Sequence, residues 1–255
     1  MCLITFNWDN HPAYKLILVA NRDEFFDRPS QEIHQWEAGF YGGKDLRAGG
    51  TWLAIHPNGR FAFLTNYRDM RNIKSDRKSR GELVKNYLST SVPPFEYLKS
   101  VEQQASEFEG FNLVVGDHLG IFYLSNYQEG IQEISSGLYG LSNALLDTPW
   151  PKLTLAKEGL ENLIAAEIFD PISMMPILHS QEIAPDEELP ETGLSLARER
   201  LMSCQFIHAE GIYGTVNTTV LLWKHTGEVT MVERKFDQLK NTHADTSLQF
   251  EIIKN

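Results

Sequence analysis

Cysteine is scarce in this chain. Only Cys2 and Cys204 occur in 255 residues, which excludes a disulfide-stapled secreted scaffold and suits a reducing, cytoplasmic setting. No window approaches the roughly 18 consecutive apolar residues that a membrane-spanning helix requires. A basic leader followed by an apolar core is also missing, so the expectation is a soluble, unexported protein. No run of Lys or Arg offsets the net charge of -11, which repels phosphate backbones and anionic bilayers; nucleic acid is excluded as a partner on that ground. The most basic stretch, Arg68 to Arg80, is interleaved with Asp, Asn and Ser and reads as a solvated loop. There is no His-Glu-x-x-His pair and no Cys-x-x-Cys-His among the eight histidines and two cysteines, so no motif for a metal or for covalent haem is present. Internal repeats and low-complexity tracts are absent too.

A hydrophobic content of 42% is enough for a large core, and the simplest organisation is one domain over residues 1–255. Strand-like runs at 2–8 and 14–20 flank Asp-Asn-His-Pro and predict an opening β-hairpin. Asn21-Arg22-Asp23-Glu24 follows at the end of its second strand. A second hairpin is predicted from 51–55 and 61–65, turned at His56-Pro57-Asn58-Gly59 and ending in Thr65-Asn66-Tyr67-Arg68. Helical periodicity marks 81–88 and 95–108, strand patterns mark 111–115 and 120–125, and a further strand leads into Gly140-Leu141-Ser142-Asn143. An amphipathic helix spans 152–168, an acidic loop 183–192 and a helix 194–204; the strands 218–223 and 229–235 follow. Strands, helices and strands again predict an α+β layered protein whose antiparallel sheets are covered by helices.

Cys2 is the outstanding residue. Removal of Met1 would leave a thiol and an α-amine on one residue, and an amine titrating near pH ~7.7–8.0 is a suitable base for a thiol near ~8.5. The alternative is a small apolar residue opening a strand. The other polar clusters are Asn21-Arg22-Asp23-Glu24, Gly49-Gly50-Thr51-Trp52, Thr65-Asn66-Tyr67-Arg68, Ser142-Asn143 with Asp147, and Gly214-Thr215-Val216-Asn217-Thr218-Thr219. Arg22 and Asp23 read either as site residues or as a buried ion pair, Glu24 pairs with Arg28 on a turn, and the two asparagines read as amide donors or as turn residues. Gly49-Gly50-Thr51-Trp52 fixes a tight turn and a packed tryptophan, without the spacing of a phosphate loop. Trp36, Phe40, Tyr41 and Trp52 line an apolar pocket or belong to the core.

Together these clusters, with Leu141-Ser142-Asn143-Ala144-Leu145, Pro149-Trp150-Pro151-Lys152 and Leu189-Pro190-Glu191-Thr192-Gly193, resemble the NRDE family, whose eukaryotic relatives are known as transport and Golgi organisation protein 2. The resemblance runs over essentially the whole chain. It implies a four-layer αββα N-terminal-nucleophile hydrolase-like fold with two stacked antiparallel sheets, and a family role in haem trafficking. The wider superfamily is similar to penicillin V acylases and bile salt hydrolases. By that likeness Cys2 would attack a small amide, Arg22 and Asp23 would hold thiolate and amine, and Asn66 and Asn143 would supply oxyanion and amine contacts. Hydrolysis of this kind needs no cofactor. The alternative that the resemblance offers is a non-hydrolytic carrier with haem as cargo and transient acceptor proteins as partners. His179 and His208 are the candidate haem ligands, whereas His11, His34, His56 and His225 fall in predicted turns. One departure stands out: relatives usually read Gly-Thr-Arg where this chain has Gly214-Thr215-Val216, so a cation expected near the site is missing, and Asn217 can supply polarity there but no charge.

Overall fold

The computed structural model describes residues 2–73, 75–209 and 211–253. Among them the chain forms strands β1 (Cys2–Trp8), β2 (Tyr14–Phe25), β3 (Ser30–Gln35), β4 (Tyr41–Asp45), β5 (Leu53–Ile55), β6 (Phe61–Asn66), β7 (Phe111–Gly116), β8 (Ile121–Ser125), β9 (Gln132–Glu133), β10 (Gly137–Leu141), β11 (His208–Ala209), β12 (Tyr213–Lys224), β13 (Glu228–Asp237) and β14 (Thr242–Glu251). The helices are α1 (Gly81–Leu88), α2 (Pro94–Gln103), α3 (Pro151–Ala165), α4 (Pro171–Met174) and α5 (Leu196–Met202). One antiparallel sheet runs β10-β1-β2-β12-β13-β14, with β11 paired to β12; the other runs β3 through β9 in order.

Three apolar clusters define the layers. Ile4, Phe6, Trp8, Leu16 and Leu18 of the first sheet meet Leu53, Phe61, Phe63, Val114 and Tyr123 of the second. Leu3, Ile17, Val19 and Val220, on the opposite face of the first sheet, pack under Leu153, Ala156 and Leu160 of α3 and Met174 of α4. Leu64, Leu113 and Val115, on the outer face of the second, pack under Leu83, Val84 and Tyr87 of α1 and Leu98 of α2. The order is therefore helix, sheet, sheet, helix. Strands covered on both faces explain why β1 is buried from end to end, since alternation separates two buried sides rather than core from solvent.

Three features differ from the sequence expectation. The second strand does not stop at residue 20 but carries Asn21-Arg22-Asp23-Glu24 within it, because β12 pairs along its whole length. A bulge between Thr215 and Asn217 in β12 sets Asn217 opposite Arg22 and leaves Val216 outside the ladder. His34 lies in β3 rather than in a turn. The glycine-rich turn is as expected: Gly49 has φ +72 and Trp52 is buried. At Gly50 an added Cβ would lie 2.5 Å from the Gly81 carbonyl carbon, so a side chain there would drive β5 and α1 apart.

Candidate active site

Register brings the Cys2 thiol to its neighbours. Cys2 stands opposite Arg22 on β2, and Arg22 stands opposite Asn217 on β12, so one row across the sheet holds all three. Successive side chains on β2 point to opposite faces. Arg22 reaches the second sheet, with Nη2 3.3 Å from Asp45 Oδ2 and 3.8 Å from Glu24 Oε2, and its guanidinium lies 4.5 Å from the Trp52 ring centroid. Asp23 turns the other way and accepts from Thr215 Oγ1 at 2.7 Å. The two are thus held by separate neighbours on separate faces. Glu24 does pair with Arg28, at 3.5 Å.

Asp45 organises this corner. Its Oδ2 accepts from Arg28 Nε at 2.7 Å, and its Oδ1 takes the amides of Arg47 and Ala48 at 2.9 Å each. Burial raises its carboxyl, but the Ala48 amide, Arg28 and Arg22 outweigh that and leave it below the ordinary value. Asp23 shifts upward, driven by burial and opposed by Lys152 and the Thr215 hydroxyl. Burial also pushes the Cys2 thiol up, with Asp23 and Glu24 adding to the shift and Arg22 opposing it. Among the described residues Arg22 Nη1 has no hydrogen-bond partner.

A cavity of about 330 Å³ opens at this row. Cys2, Arg22, Asp23, Trp52 and Asn66 line it, and Arg77, Lys78 and Arg80 form part of its wall. The stretch Arg68 to Arg80 is therefore not simply a solvated loop. Arg68 is buried, 3.1 Å from Glu199 and 4.8 Å from the Trp150 ring. Arg77 Nη1 donates to the Ser106 carbonyl at 2.6 Å, Arg80 Nη1 to that of Gly110 at 3.0 Å, and Lys78 pairs with Glu107. The loop folds back because its cations find carbonyls and a carboxylate there.

Asn66 and Asn143 play different parts. Asn66 ends β6 at the cavity wall. Asn143 is fully buried outside that lining and donates from Nδ2 to the Asn66 carbonyl at 3.0 Å. Next to it, Ser142 Oγ donates to the Cys2 carbonyl at 3.3 Å. Asn112 braces the same loop by donating to the carbonyl of Ala144 at 2.8 Å and to Thr65 Oγ1 at 3.0 Å. The brace and Asp45 escaped sequence reasoning; Asp45 carried one readable signal, a carboxylate two residues before a small-residue turn.

The remaining candidates lie elsewhere. His179 bonds Thr218 Oγ1 at 3.0 Å between Phe206 and Phe236, and burial lowers its pKa to about 4. His208 contacts Gln238, and neither histidine lines the cavity. Cys2 and Cys204 are both free thiols, and Phe40 belongs to the core. Among the described residues no group of three or more His, Cys, Asp or Glu could hold a metal ion, and no helix is long and apolar enough to cross a membrane. Met1, on which the α-amine expectation depends, lies outside the described residues.

Comparison with known proteins places the chain in a family. The family model described as Transport and Golgi organisation 2 matches residues 1–238. The Mus musculus Transport and Golgi organization 2 homolog is 33% identical, covering 92% of each chain. The Homo sapiens homolog is also 33% identical, over 96% of this chain and 97% of its own. Among solved structures, the Caenorhabditis elegans N-acylethanolamine-hydrolyzing acid amidase ortholog superposes with a TM-score of 0.48 at 11% identity, over 87% of this chain and 92% of that one.

Proposed function

The chain belongs to the Transport and Golgi organisation 2 family, and from that premise we propose that it is a cytoplasmic N-terminal-cysteine hydrolase acting on a small amide held in the Cys2 cavity. The observation that carries this reading is the buried Arg22 Nη1, a charged donor without a hydrogen-bond partner among the described residues, on the residue facing Cys2 across the ladder. A buried unmet guanidinium donor is costly, and a thiolate or a substrate oxygen at Cys2 would satisfy it.

After Met1 is removed, Cys2 Sγ attacks the amide carbonyl while the thiol proton passes to the α-amine, directly or through water. The tetrahedral oxyanion is received by the Asn66 side-chain amide, and Asp23 orients the amine. The protonated amine then gives its proton to the leaving nitrogen as the C–N bond breaks. Water hydrolyses the thioester and restores the thiol. Asn143 acts through Asn66 as a positioning residue.

Intact-mass measurement before and after iodoacetamide, with peptide mapping, tests the reading. Loss of Met1 with selective carbamidomethylation of Cys2 at neutral pH is the expected result and leads to an amide-substrate screen. Retention of Met1 overturns it.

One observation favours a second reading, a non-hydrolytic haem carrier that hands its cargo to acceptor proteins: burial holds the Cys2 thiol above its ordinary pKa, which works against a nucleophile. The cations Arg77, Lys78 and Arg80 at the cavity suit the carboxylates of such a cargo. This reading expects a saturable spectral shift on haem titration that survives Cys2→Ala; loss of that shift in the variant, or no saturation in either protein, removes it.

A further inference from the structure

We propose that the protein has a second ligand site, at the end of the sheet sandwich remote from Cys2, which takes a small monocarboxylic acid on Arg60. In the first sheet Cys2 pairs with Arg22 at one end of β1 and Trp8 pairs with Leu16 at the other. Six steps along a strand separate the ends by roughly 20 Å. At the far end lies a cavity of about 650 Å³ whose wall includes Lys15, Arg60, Trp223, Lys224, His225 and Ile252. This is twice the volume of the Cys2 cavity and within the range of small-molecule sites.

Arg60 is the group that asks for a ligand. It is 7% exposed. Its Nη2 donates to the Tyr87 carbonyl at 3.0 Å, and its guanidinium carbon lies 4.0 Å from the Tyr87 ring centroid. Among the described residues its Nε is sealed without a partner; Nη1 makes no hydrogen bond to them either and, unlike Nε, is not sealed. Among the described residues no carboxylate forms an ion pair with it. The lysines of the cavity are already answered: Lys15 by Asp9 at 3.0 Å, Lys224 by Glu228 at 2.8 Å. Asp117 Oδ1 accepts from the amides of Leu119 and Gly120, and the carboxylate keeps its negative charge at the cavity wall.

What remains without an ion pair among the described residues is one cation, Arg60, and one carboxylate, Asp117, in the same wall, a balance that disfavours a multiply charged phosphate and leaves room for a monoanion on Arg60. A planar guanidinium suits a planar carboxylate. The apolar part of the wall is fixed. Trp223 is buried in the central core, Ile252 N–H donates to the Gly227 carbonyl at 2.8 Å, and Ile253 N–H to that of Pro57 at 2.7 Å. The ligand is therefore a carboxylate with a short apolar body.

The test is titration of the full chain with hexanoate and with its neutral counterpart hexanamide, followed by calorimetry and backbone amide NMR. Expected are saturable hexanoate binding, at least tenfold weaker hexanamide binding, and shifts centred on Trp223, Lys224 and Ile252. Arg60→Gln should weaken hexanoate at least tenfold, and Arg60→Lys, which keeps charge but not the fork, should fall between. Equal affinity for the two probes, no saturation with hexanoate, or shifts confined to Arg22 and Trp52 overturns the proposal. The probe comparison and the shift map decide the matter in the wild type even if Arg60→Gln does not fold.

Discussion

The side-chain amide of Asn143 donates to the backbone carbonyl of Asn66 at 3.0 Å, so two asparagines that look equivalent in sequence stand at different distances from the Cys2 cavity. Only Asn66 reaches the cavity. Asn143→Ala removes a buried donor and leaves a carbonyl unmet, an expected loss of about 1–3 kcal/mol in urea unfolding. Asn66→Ala should leave stability nearly unchanged and lower turnover roughly 10²–10³-fold, the usual cost of one oxyanion donor. Equal stability losses in both variants contradict the division of labour.

Glu233 gives the fold a predictable pH dependence. It is 1% exposed, accepts from the Ile33 amide, and burial raises its pKa to about 7. A carboxyl raised above its unfolded value holds its proton more tightly in the native state, so its penalty is absent below about pH 4.5, grows as pH rises, and is complete above about pH 7. Glu233→Gln should therefore gain stability of order 2–3 kcal/mol over wild type at pH 8 and almost none at pH 4.5. Urea titrations at the two pH values measure the difference; a gain independent of pH refutes the assignment.

Asn217 sits fully buried, and neither of its amide atoms has a hydrogen-bond partner among the described residues. Nothing in the packing of β12 demands that polarity, and Val is a better strand residue. Asn217→Val should raise the melting temperature by a few degrees, in keeping with about 1 kcal/mol in a chain of this size. The same change should slow reaction at Cys2, because Asn217 faces Arg22 across the ladder. A variant both less stable and fully reactive would show that the side chain serves packing alone.

Gly50 and Gly81 meet where the cavity wall joins α1. With only 2.5 Å between a Gly50 Cβ and the Gly81 carbonyl carbon, Gly50→Ala must separate backbone from backbone. The expected cost is about 1–3 kcal/mol, as for an overpacked core position. The displacement should also disturb Thr51 and Arg80, both of which line the Cys2 cavity. Thermal melts and Cys2 labelling rates read the two effects.

How much of this was legible follows from what local pattern encodes. The run 2–8 and the periodicity at 81–88 coincide with β1 and α1, since alternating or helical apolar spacing survives burial. β14 was missed because its residues are mostly exposed and polar and its partner is β13 alone; an edge strand needs no apolar stripe. β2 outran its apolar run because charged Arg22 and Asp23 are stabilised by Asp45 and Thr215, partners distant in sequence. Cys2, Arg22, Asp23 and Asn66 were readable as an ordered set and do meet at one cavity. Arg77, Lys78 and Arg80 were not, since only the folded loop reveals that their partners are Ser106, Glu107 and Gly110.

Cys2 itself supplies the most direct prediction. With burial raising its thiol, a chain that retains Met1 holds too little thiolate at pH 7 to react quickly, and its alkylation rate should keep rising with pH through the alkaline range. A chain whose Met1 has been removed carries an α-amine beside the sulfur, with an ordinary pKa near ~8. Its iodoacetamide reaction should already be fast at pH 7, and should slow when Arg22→Gln removes the adjacent charge. Comparing the pH profiles of processed and unprocessed protein separates the two cases. Identical profiles mean that the amine does not activate the thiol, and the hydrolytic mechanism then loses its base.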